Sequence, residues 1–253
     1  FRRVLFRSGI VLTGSTSSND RDFAGMNKGL KDIFVLKLDE RGDMLWKKIF
    51  GGNKDDEGIS IAATTNGGCV VTGHTTSTTG DFAGMNKGRD DIFVINLDVR
   101  GDVVWQRLIG GMGVDYGSSI ITSADGGCVL TGTTTSTSDD FAGMNNLTGR
   151  IFVIKLDTAG QIQWNTSIGG TGGEIGNAIA TTNDGGYVLT GSTASDNGDF
   201  KGLPRIEDAL FVIKLDDQGR VKWSKVFDGN GYDKGRSLAV TSDRKSTRLN
   251  SSH

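Results

Sequence analysis

The chain has 253 residues, with 39 glycines, one proline and a formal net charge of −2. Such a composition, also rich in Ser and Thr, favours tight turns and is poor in helix formers. Apolar residues come in short runs bounded by Gly, Asp and Asn, as strands do, and no run approaches the roughly 18 residues of a membrane helix. The sequence therefore predicts an all-β protein with very little helix and no membrane insertion.

The two ends do not follow the pattern of the rest of the chain. Back-translation of residues 1–8 gives a DNA string whose reverse complement, in a shifted frame, encodes the start of residues 243–253. The string resembles a common sequencing-library adapter, so we interpret both tails as translated artefact rather than as genuine basic tails. We then expect residues 9–242 to be a fragment cut at both ends. It holds 22 basic and 29 acidic residues, a net charge of −7, which argues against nucleic-acid binding.

A strict repeat organises residues 9–242. One 14-residue segment, which reads IFVIKLDTAGQIQW at 151–164, occurs four times and ends each time in tryptophan. The tryptophans are 59 residues apart, without insertion or deletion. This period predicts a repeat architecture. The predicted repeats are 9–66, 67–125, 126–184 and 185–242.

Each copy contains four predicted strands, separated by turns and one longer polar loop. Those of the third copy are 118–122, 128–132, 151–156 and 161–168. An Asp-Gly turn joins strands one and two, and a turn ending at Gly160 joins strands three and four. The longer loop between strands two and three contains Asp140 and Phe141. Strand one recurs in the other copies, at 59–63, 177–181 and 236–240.

Four short antiparallel strands per copy are typical of the blades of a β-propeller. One blade cannot bury both its faces, whereas stacked blades bury them and protect the strand edges. A turn of parallel β-helix is much shorter than this repeat, and immunoglobulin-like modules are longer, at about 100 residues. We therefore predict a β-propeller of four-stranded antiparallel blades, as a four-repeat portion of a larger ring. In the alternative, a closed ring of four blades, residues 236–240 would complete the sheet of residues 9–50.

Three motifs carry a resemblance over residues 9–242. They are D-G-G-(C/Y)-V-(V/L)-T-G, I-F-V-I-K-L-D-x-x-G-x-(V/I)-x-W and G-G-x-x-x-D-x-G. They resemble the roughly 60-residue repeats called SBBP-type or delta-60-like, from bacterial secreted and surface proteins. The strand order is similar to that of kelch blades, and L-D-x-x-G-x-x-x-W is similar to the tryptophan motif of quinoprotein propellers. The resemblance implies a propeller scaffold that is extracellular or on the cell surface, and such motifs specify architecture better than function.

One end of the predicted ring should carry acids from two kinds of connection. They are Asp22, Asp81, Asp140 and Asp199 in the long loops, and Asp56, Asp115, Glu174 and Asp233 between copies. Clustered carboxylates suit Ca²⁺, a cationic ligand or a basic protein patch. Alternatively, each acid caps its own loop as an Asx turn. We favour the caps, because a turn recurs in every repeat whereas a binding site usually breaks the symmetry. Calcium remains a hypothesis, since no D-x-D-x-D-G loop is present.

The aromatic residues at fixed repeat positions are predicted to be structural. We expect the tryptophans to anchor neighbouring blades rather than to stack on sugars, and the loop phenylalanines to plug the blade interface. They are Trp46, Trp105, Trp164 and Trp223, and Phe23, Phe82, Phe141 and Phe200. Cys69 and Cys128 share one repeat position with Ile10 and Tyr187, so we expect a packing site rather than a disulfide or a metal site.

The sequence shows no catalytic, zinc-binding or phosphate-binding set apart from the repeat, and His74 is the only histidine outside the tails. We therefore expect a non-enzymatic scaffold without a cofactor, which binds protein or carbohydrate on its acidic loop end. Two alternatives remain. The chain is part of a propeller enzyme, quinoprotein-like or polysaccharide-acting, whose active site lies in missing blades, or it is a purely structural spacer.

Overall fold

A computed structural model describes residues 9–143, 148–201 and 208–241. In these residues the strands form one three-stranded and three four-stranded sheets, and all neighbouring strands are antiparallel and consecutive in the chain. The first sheet holds β1 (Gly9–Thr16), β2 (Asp32–Asp39) and β3 (Met44–Phe50). The second holds β4 (Asp56–Ala63), β5 (Cys69–Thr75), β6 (Asp91–Leu97) and β7 (Val103–Ile109).

The third and fourth sheets repeat this arrangement. The third holds β8 (Asp115–Thr122), β9 (Cys128–Thr134), β10 (Arg150–Leu156) and β11 (Ile162–Ile168). The fourth holds β12 (Glu174–Thr181), β13 (Tyr187–Thr193), β14 (Ala209–Leu215) and β15 (Val221–Phe227). In the described residues, helix is limited to 3₁₀ turns of three residues in the long loops, such as Gly80–Phe82.

Stacking of consecutive sheets explains why the third strand of each sheet is so apolar. In β10, Ile151, Phe152, Val153 and Ile154 are all fully buried, because a sheet covers each face. In β2 the burial alternates, since only one face of the first sheet is covered. A hydrophobic layer fills each space between consecutive sheets.

The first strands of consecutive sheets lie side by side. The Ile120 N–H donates to Ser60 Oγ over 3.1 Å, and the Ile179 N–H donates to Ser119 Oγ over 3.4 Å. Strands so placed line the axis around which blades stack. The prediction of an all-β protein built of four-stranded propeller blades is thereby confirmed.

The prediction of a strand at 236–240 is wrong, because these residues form no strand. The preceding Gly235 N–H donates to Gly191 O of the fourth sheet over 3.1 Å, and Gly235 O accepts from Asn177 Nδ2 over 2.7 Å. The segment therefore starts as the first strand of a further blade would, but the described chain offers no second strand to pair with it. Among residues 9–143, 148–201 and 208–241, close packing joins only consecutive sheets and the first sheet keeps three strands, so these residues do not form the closed four-blade ring.

The first strand of each complete sheet starts earlier than predicted. β8 begins at Asp115 rather than at residue 118, because a bulge between Gly117 and Ser119 lets pairing with β9 continue past the glycine. Three of the acids between copies, Asp56, Asp115 and Glu174, therefore lie in strands, whereas Asp233 does not. Since each of the three complete sheets begins with this strand, the repeat boundaries at 67, 126 and 185 fall inside sheets.

Two further expectations concern the ends and the membrane. The tails, 1–8 and 243–253, lie outside the described residues, so their interpretation as artefact stays a prediction. No helix in the described part of the chain has the length and apolarity to cross a membrane.

Candidate functional site

Each tryptophan packs on the next sheet, where there is one. Trp46 Nε1 donates to Val99 O over 3.0 Å, and Trp105 Nε1 donates to Thr158 O over 2.9 Å. Trp164 lies against Gly219 in the same manner. Trp223 has no following sheet and is 46% exposed. The indole rings therefore belong to blade stacking, and three of the four are half-buried against the following sheet.

The loop phenylalanines lie in the layers between sheets. Phe82 is fully buried among residues of the first two sheets, including Ile33 and Phe93. Phe141 and Phe200 occupy the same place in the next two layers. Phe23 precedes the first layer, is only half-buried and contacts Phe34 of its own sheet.

The acids at the strand starts are buried and cap their own connections. Asp56 accepts from the Gly52 N–H over 2.9 Å, from Ser77 Oγ over 2.7 Å and from Thr75 Oγ1. Asp115 and Glu174 accept from the equivalent hydroxyl pairs. Burial raises the pKa of all three carboxyl groups. Asp233, which is half-buried and starts no strand, accepts from the Gly229 N–H over 2.8 Å.

The acids of the long loops link neighbouring sheets. Asp81 accepts from the Gly51 N–H over 2.9 Å and pairs with Lys28. Asp140 and Asp199 accept from the equivalent glycines. Asp22 has no preceding sheet and is exposed. In the described residues no group of three or more His, Cys, Asp or Glu side chains is placed to hold a metal ion.

The cation that pairs with a long-loop acid lies at one of two different repeat positions. Lys87, in the long loop, pairs with Asp140. In the next sheet Arg150 starts strand β10, where β6 has Asp91, and its Nη2 lies 3.9 Å from Asp199 Oδ2. Arg150 also donates to Gly169 O over 3.3 Å. The contact is thus kept although the sequence position of its cation changes.

Asp91 and Asp115 form a pair of buried acids. The next sheet lacks this pair, because Arg150 stands at the position that is equivalent to Asp91. Both carboxylates flank Gly110, where a Cβ atom would lie 1.8 Å from Asp91 Oδ1 and 3.0 Å from Asp115 Oδ2. Asp91 Oδ1 has no hydrogen-bond partner. Burial, and then the charge of Asp115, raise the pKa of Asp91 to about 6.

The symmetry of the repeat breaks at the inner edge of the array. The residue between the acid and the glycine that open each first strand, and between Asp233 and Gly235, differs in chemistry from copy to copy. These residues are Glu57, Tyr116, Ile175 and Lys234. The residues opposite the first three on the second strands also differ, as His74, Thr133 and Ser192. We call the exposed side chains Ile59, Tyr116 and Ile175, together with the half-buried Glu57 and His74, the axial surface.

An ion pair and a ring contact order the first half of the axial surface. Lys31 Nζ donates to Glu57 Oε1 over 2.8 Å, and this hydrogen bond lowers the pKa of Glu57. The imidazole of His74 meets the Tyr116 ring edge-on, with centroids 4.5 Å apart. Burial lowers the pKa of His74, which therefore presents a neutral ring at neutral pH.

A cavity of about 450 Å³ opens in the second half, between the third and fourth sheets. Tyr116, Ile175 and Val114 give it apolar walls, and Thr133 and Ser192 give it polar groups. Tyr116 and Ile175 are 40% and 42% exposed. Apolar walls with a few convergent polar groups are what ligand pockets offer.

The axial residues were missed from sequence, although a signal for them exists. Tyr116 and Ile175 lie between an acid and a glycine that every copy retains, so each reads as part of a regular strand. Alignment of the copies shows a carboxylate, a phenol, an alkyl group and an amine at this one position. Strong variation between two retained residues is the signal.

Comparisons with known proteins find only distant structural likeness. No protein-family model matches the chain, and no curated protein does. Among solved structures, the WD40 domain of Pan2 from Neurospora crassa shares 16% identity and a TM-score of 0.45, over 79% of this chain and 50% of that one. An apocarotenoid oxygenase mutant from Synechocystis shares 12% and 0.40, over 77% and 46%. BamB from Moraxella catarrhalis shares 14% and 0.30, over 76% and 70%. The chain thus spans about half the length of the first two, and such distant likeness transfers no activity to it.

Proposed function

We propose that this chain is a non-enzymatic binding module whose ligand contacts the axial surface. The observation that supports this is the variation of Glu57, Tyr116 and Ile175 between retained neighbours. Stacking requires the same residues in every blade, so a position that is free to vary beside them is available for recognition. This proposal moves the binding site from the acidic loop end to the inner edge, because the acids serve their own connections.

A protein segment is the ligand that suits this surface best. Ile59, Tyr116 and Ile175 are large apolar or aromatic side chains that are 40–48% exposed. Tyrosine is enriched among the residues that dominate protein interfaces, and exposed apolar patches mark such sites. The charged Glu57–Lys31 pair lies at the rim, where charge sets orientation more than affinity.

Carbohydrate is the second candidate, and the cavity favours it. A sugar ring would place its apolar face on Tyr116 and its hydroxyl groups near Thr133 and Ser192. On the resemblance to SBBP-type repeats, we further propose that the module belongs to a secreted or surface protein of a bacterium. The proposal about the location and partners of the whole protein rests on that resemblance alone.

The test uses substitutions that the repeat itself contains. Tyr116→Ile places the residue of the next copy at the same strand position, so the fold should tolerate it. The matched control is Met112→Thr, which copies Thr171 at an exposed position away from the axis. The chain and both variants are applied to peptide and glycan arrays, and hits are titrated.

Tyr116→Ile should weaken a true hit by about tenfold or more, since truncating an interface tyrosine commonly costs above 1 kcal/mol. Met112→Thr should leave it unchanged. Hits on peptides alone favour protein, and hits on glycans alone favour carbohydrate. The proposal fails if neither array gives a hit, or if the hits ignore Tyr116→Ile and respond to Met112→Thr.

A further inference from the structure

Two glycines open the cavity between the third and fourth sheets. Gly149 precedes β10 and Gly173 precedes β12, and both line the cavity. One repeat earlier, the same two positions hold Asp90 and Val114, whose side chains are half-buried. The sequence therefore removes two side chains at the place where the cavity lies.

The backbone around the two glycines keeps the geometry of the preceding repeat. Gly149 O accepts from the Glu174 N–H over 3.2 Å, where the equivalent bond one repeat earlier measures 2.9 Å. Gly173 O accepts from the Ala194 N–H over 2.9 Å, as does its counterpart. The space thus comes from the missing side chains and not from a displaced strand.

The charge of the cavity is negative. Among its described lining residues the charged ones are Glu174 and Asp208, and none is a lysine or an arginine. The Glu174 side chain is buried and accepts from the hydroxyl groups of Thr193 and Ser195. The Asp208 side chain is 29% exposed. The charge that a ligand would meet is therefore that of Asp208.

Asp208 has room for a closer cation than the one it faces. Lys234 Nζ lies 3.8 Å from Asp208 Oδ2, which is beyond hydrogen-bonding range. Beside this carboxylate the cavity has the aromatic wall of Tyr116 and the aliphatic side chain of Ile175. An arginine matches all three, because its stem is apolar and its planar guanidinium both stacks on rings and pairs with carboxylates. An anionic ligand would be repelled.

We propose that this cavity binds an arginine side chain of a protein partner. The stem lies against Ile175 and Tyr116, and the guanidinium donates to Asp208. Gly149 and Gly173 determine the specificity, because they leave the room that the side chain needs. A volume of about 450 Å³ is within the range of ligand pockets and also admits part of the segment that bears the arginine. Arginine binding here rests on the proposed function, since it requires a protein segment on the axial surface.

A positional-scanning library of hexapeptides tests the choice of side chain. Each pool fixes one residue at one position and mixes the others, and binding to the full chain is read by fluorescence polarisation. Pools that fix arginine should bind best, and those that fix lysine less well. In the best single peptide, replacement of the arginine by citrulline keeps the shape and removes the charge. The dissociation constant should then rise about tenfold or more.

Three variants of the chain locate the binding. Asp208→Asn should weaken the arginine peptide about tenfold and abolish its advantage over the citrulline peptide. The matched control is Asp217→Asn, which removes an exposed acid from the turn between β14 and β15 and should change nothing. Gly173→Val copies Val114 and should weaken both peptides by filling the cavity. Circular dichroism melts check that each variant folds.

The outcomes separate this proposal from the proposed function. Selection of apolar or neutral residues, or an arginine preference that survives Asp208→Asn or Gly173→Val, would overturn arginine binding in the cavity. If such binding still weakened with Tyr116→Ile, the axial surface would remain the ligand site. Peptides that bind equally well to Tyr116→Ile, or no binding at all, would refute the proposed function as well.

Discussion

The glycine that ends the turn between strands three and four allows a matched measurement of blade packing. Its φ angle is positive in every sheet, for example +85° at Gly42 and +76° at Gly160. A Cβ on Gly160 would lie 2.7 Å from Trp105 Cε3, whereas a Cβ on Gly42 would meet nothing within 4 Å. Alanine therefore introduces the same backbone strain at both positions and a clash at only one.

The magnitudes follow from these two effects. Left-handed backbone costs a residue with a Cβ about 1–2 kcal/mol, which Gly42→Ala and Gly160→Ala share. Overpacking against Trp105 adds about 1–3 kcal/mol, because the indole is held between two sheets and must move aside. Gly160→Ala should thus lower the free energy of unfolding by about 2–5 kcal/mol, and Gly42→Ala by about 1–2 kcal/mol.

Urea unfolding of both variants measures the difference. Far-UV circular dichroism and tryptophan fluorescence should be followed together, since stacked repeats need not unfold in one step. Equal losses in the two variants would show that the indole contact contributes nothing to packing, and the reasoning on blade stacking would fail.

Two other predictions concern the same interfaces. Trp164→Ala should lower the free energy of unfolding by about 3–5 kcal/mol and Trp223→Ala by about 1 kcal/mol or less in the monomer, because only Trp164 is covered by a following sheet; thermal melts of dilute samples check this. The raised pKa of Asp91, about 6 in the folded chain, stabilises the fold below pH 4, and this stability is lost as the pH rises through 6. When the pH falls from 7.5 to 4.5, the free energy of unfolding of Asp91→Asn should therefore rise less than that of the parent, by on the order of 1–2 kcal/mol. Identical shifts of the urea midpoint in the two proteins would contradict the assignment.

The sequence is most informative at positions where blade stacking requires the same residue in every repeat. Each tryptophan must meet the same turn in the next blade, so Trp46, Trp105 and Trp164 recur at a fixed spacing and reveal the blade. The strands between them are predictable from their apolar runs. The bulge that lets β8 start at Asp115 is not, because it depends on pairing with a partner strand and not on local composition.

The candidate site was less predictable for a related reason. A carboxylate such as Asp56 is satisfied by hydroxyl groups 19 and 21 residues away, on Thr75 and Ser77. Sequence inspection finds the acid but not its partners, so a capped acid and a binding acid look alike. Tyr116 and Ile175 become a site only when the first strands are brought side by side at the inner edge.

The exchange of a loop lysine for a strand arginine bears on how such a chain can change its length. Lys28, Lys87 and Arg150 each lie in the blade that precedes the aspartate they contact, so each of the first three blades brings its own positive charge. Unequal crossing-over between repeats would insert or remove whole 59-residue units and leave each charge with an acceptor. Gain or loss of a whole repeat would therefore leave these charge pairs between blades intact.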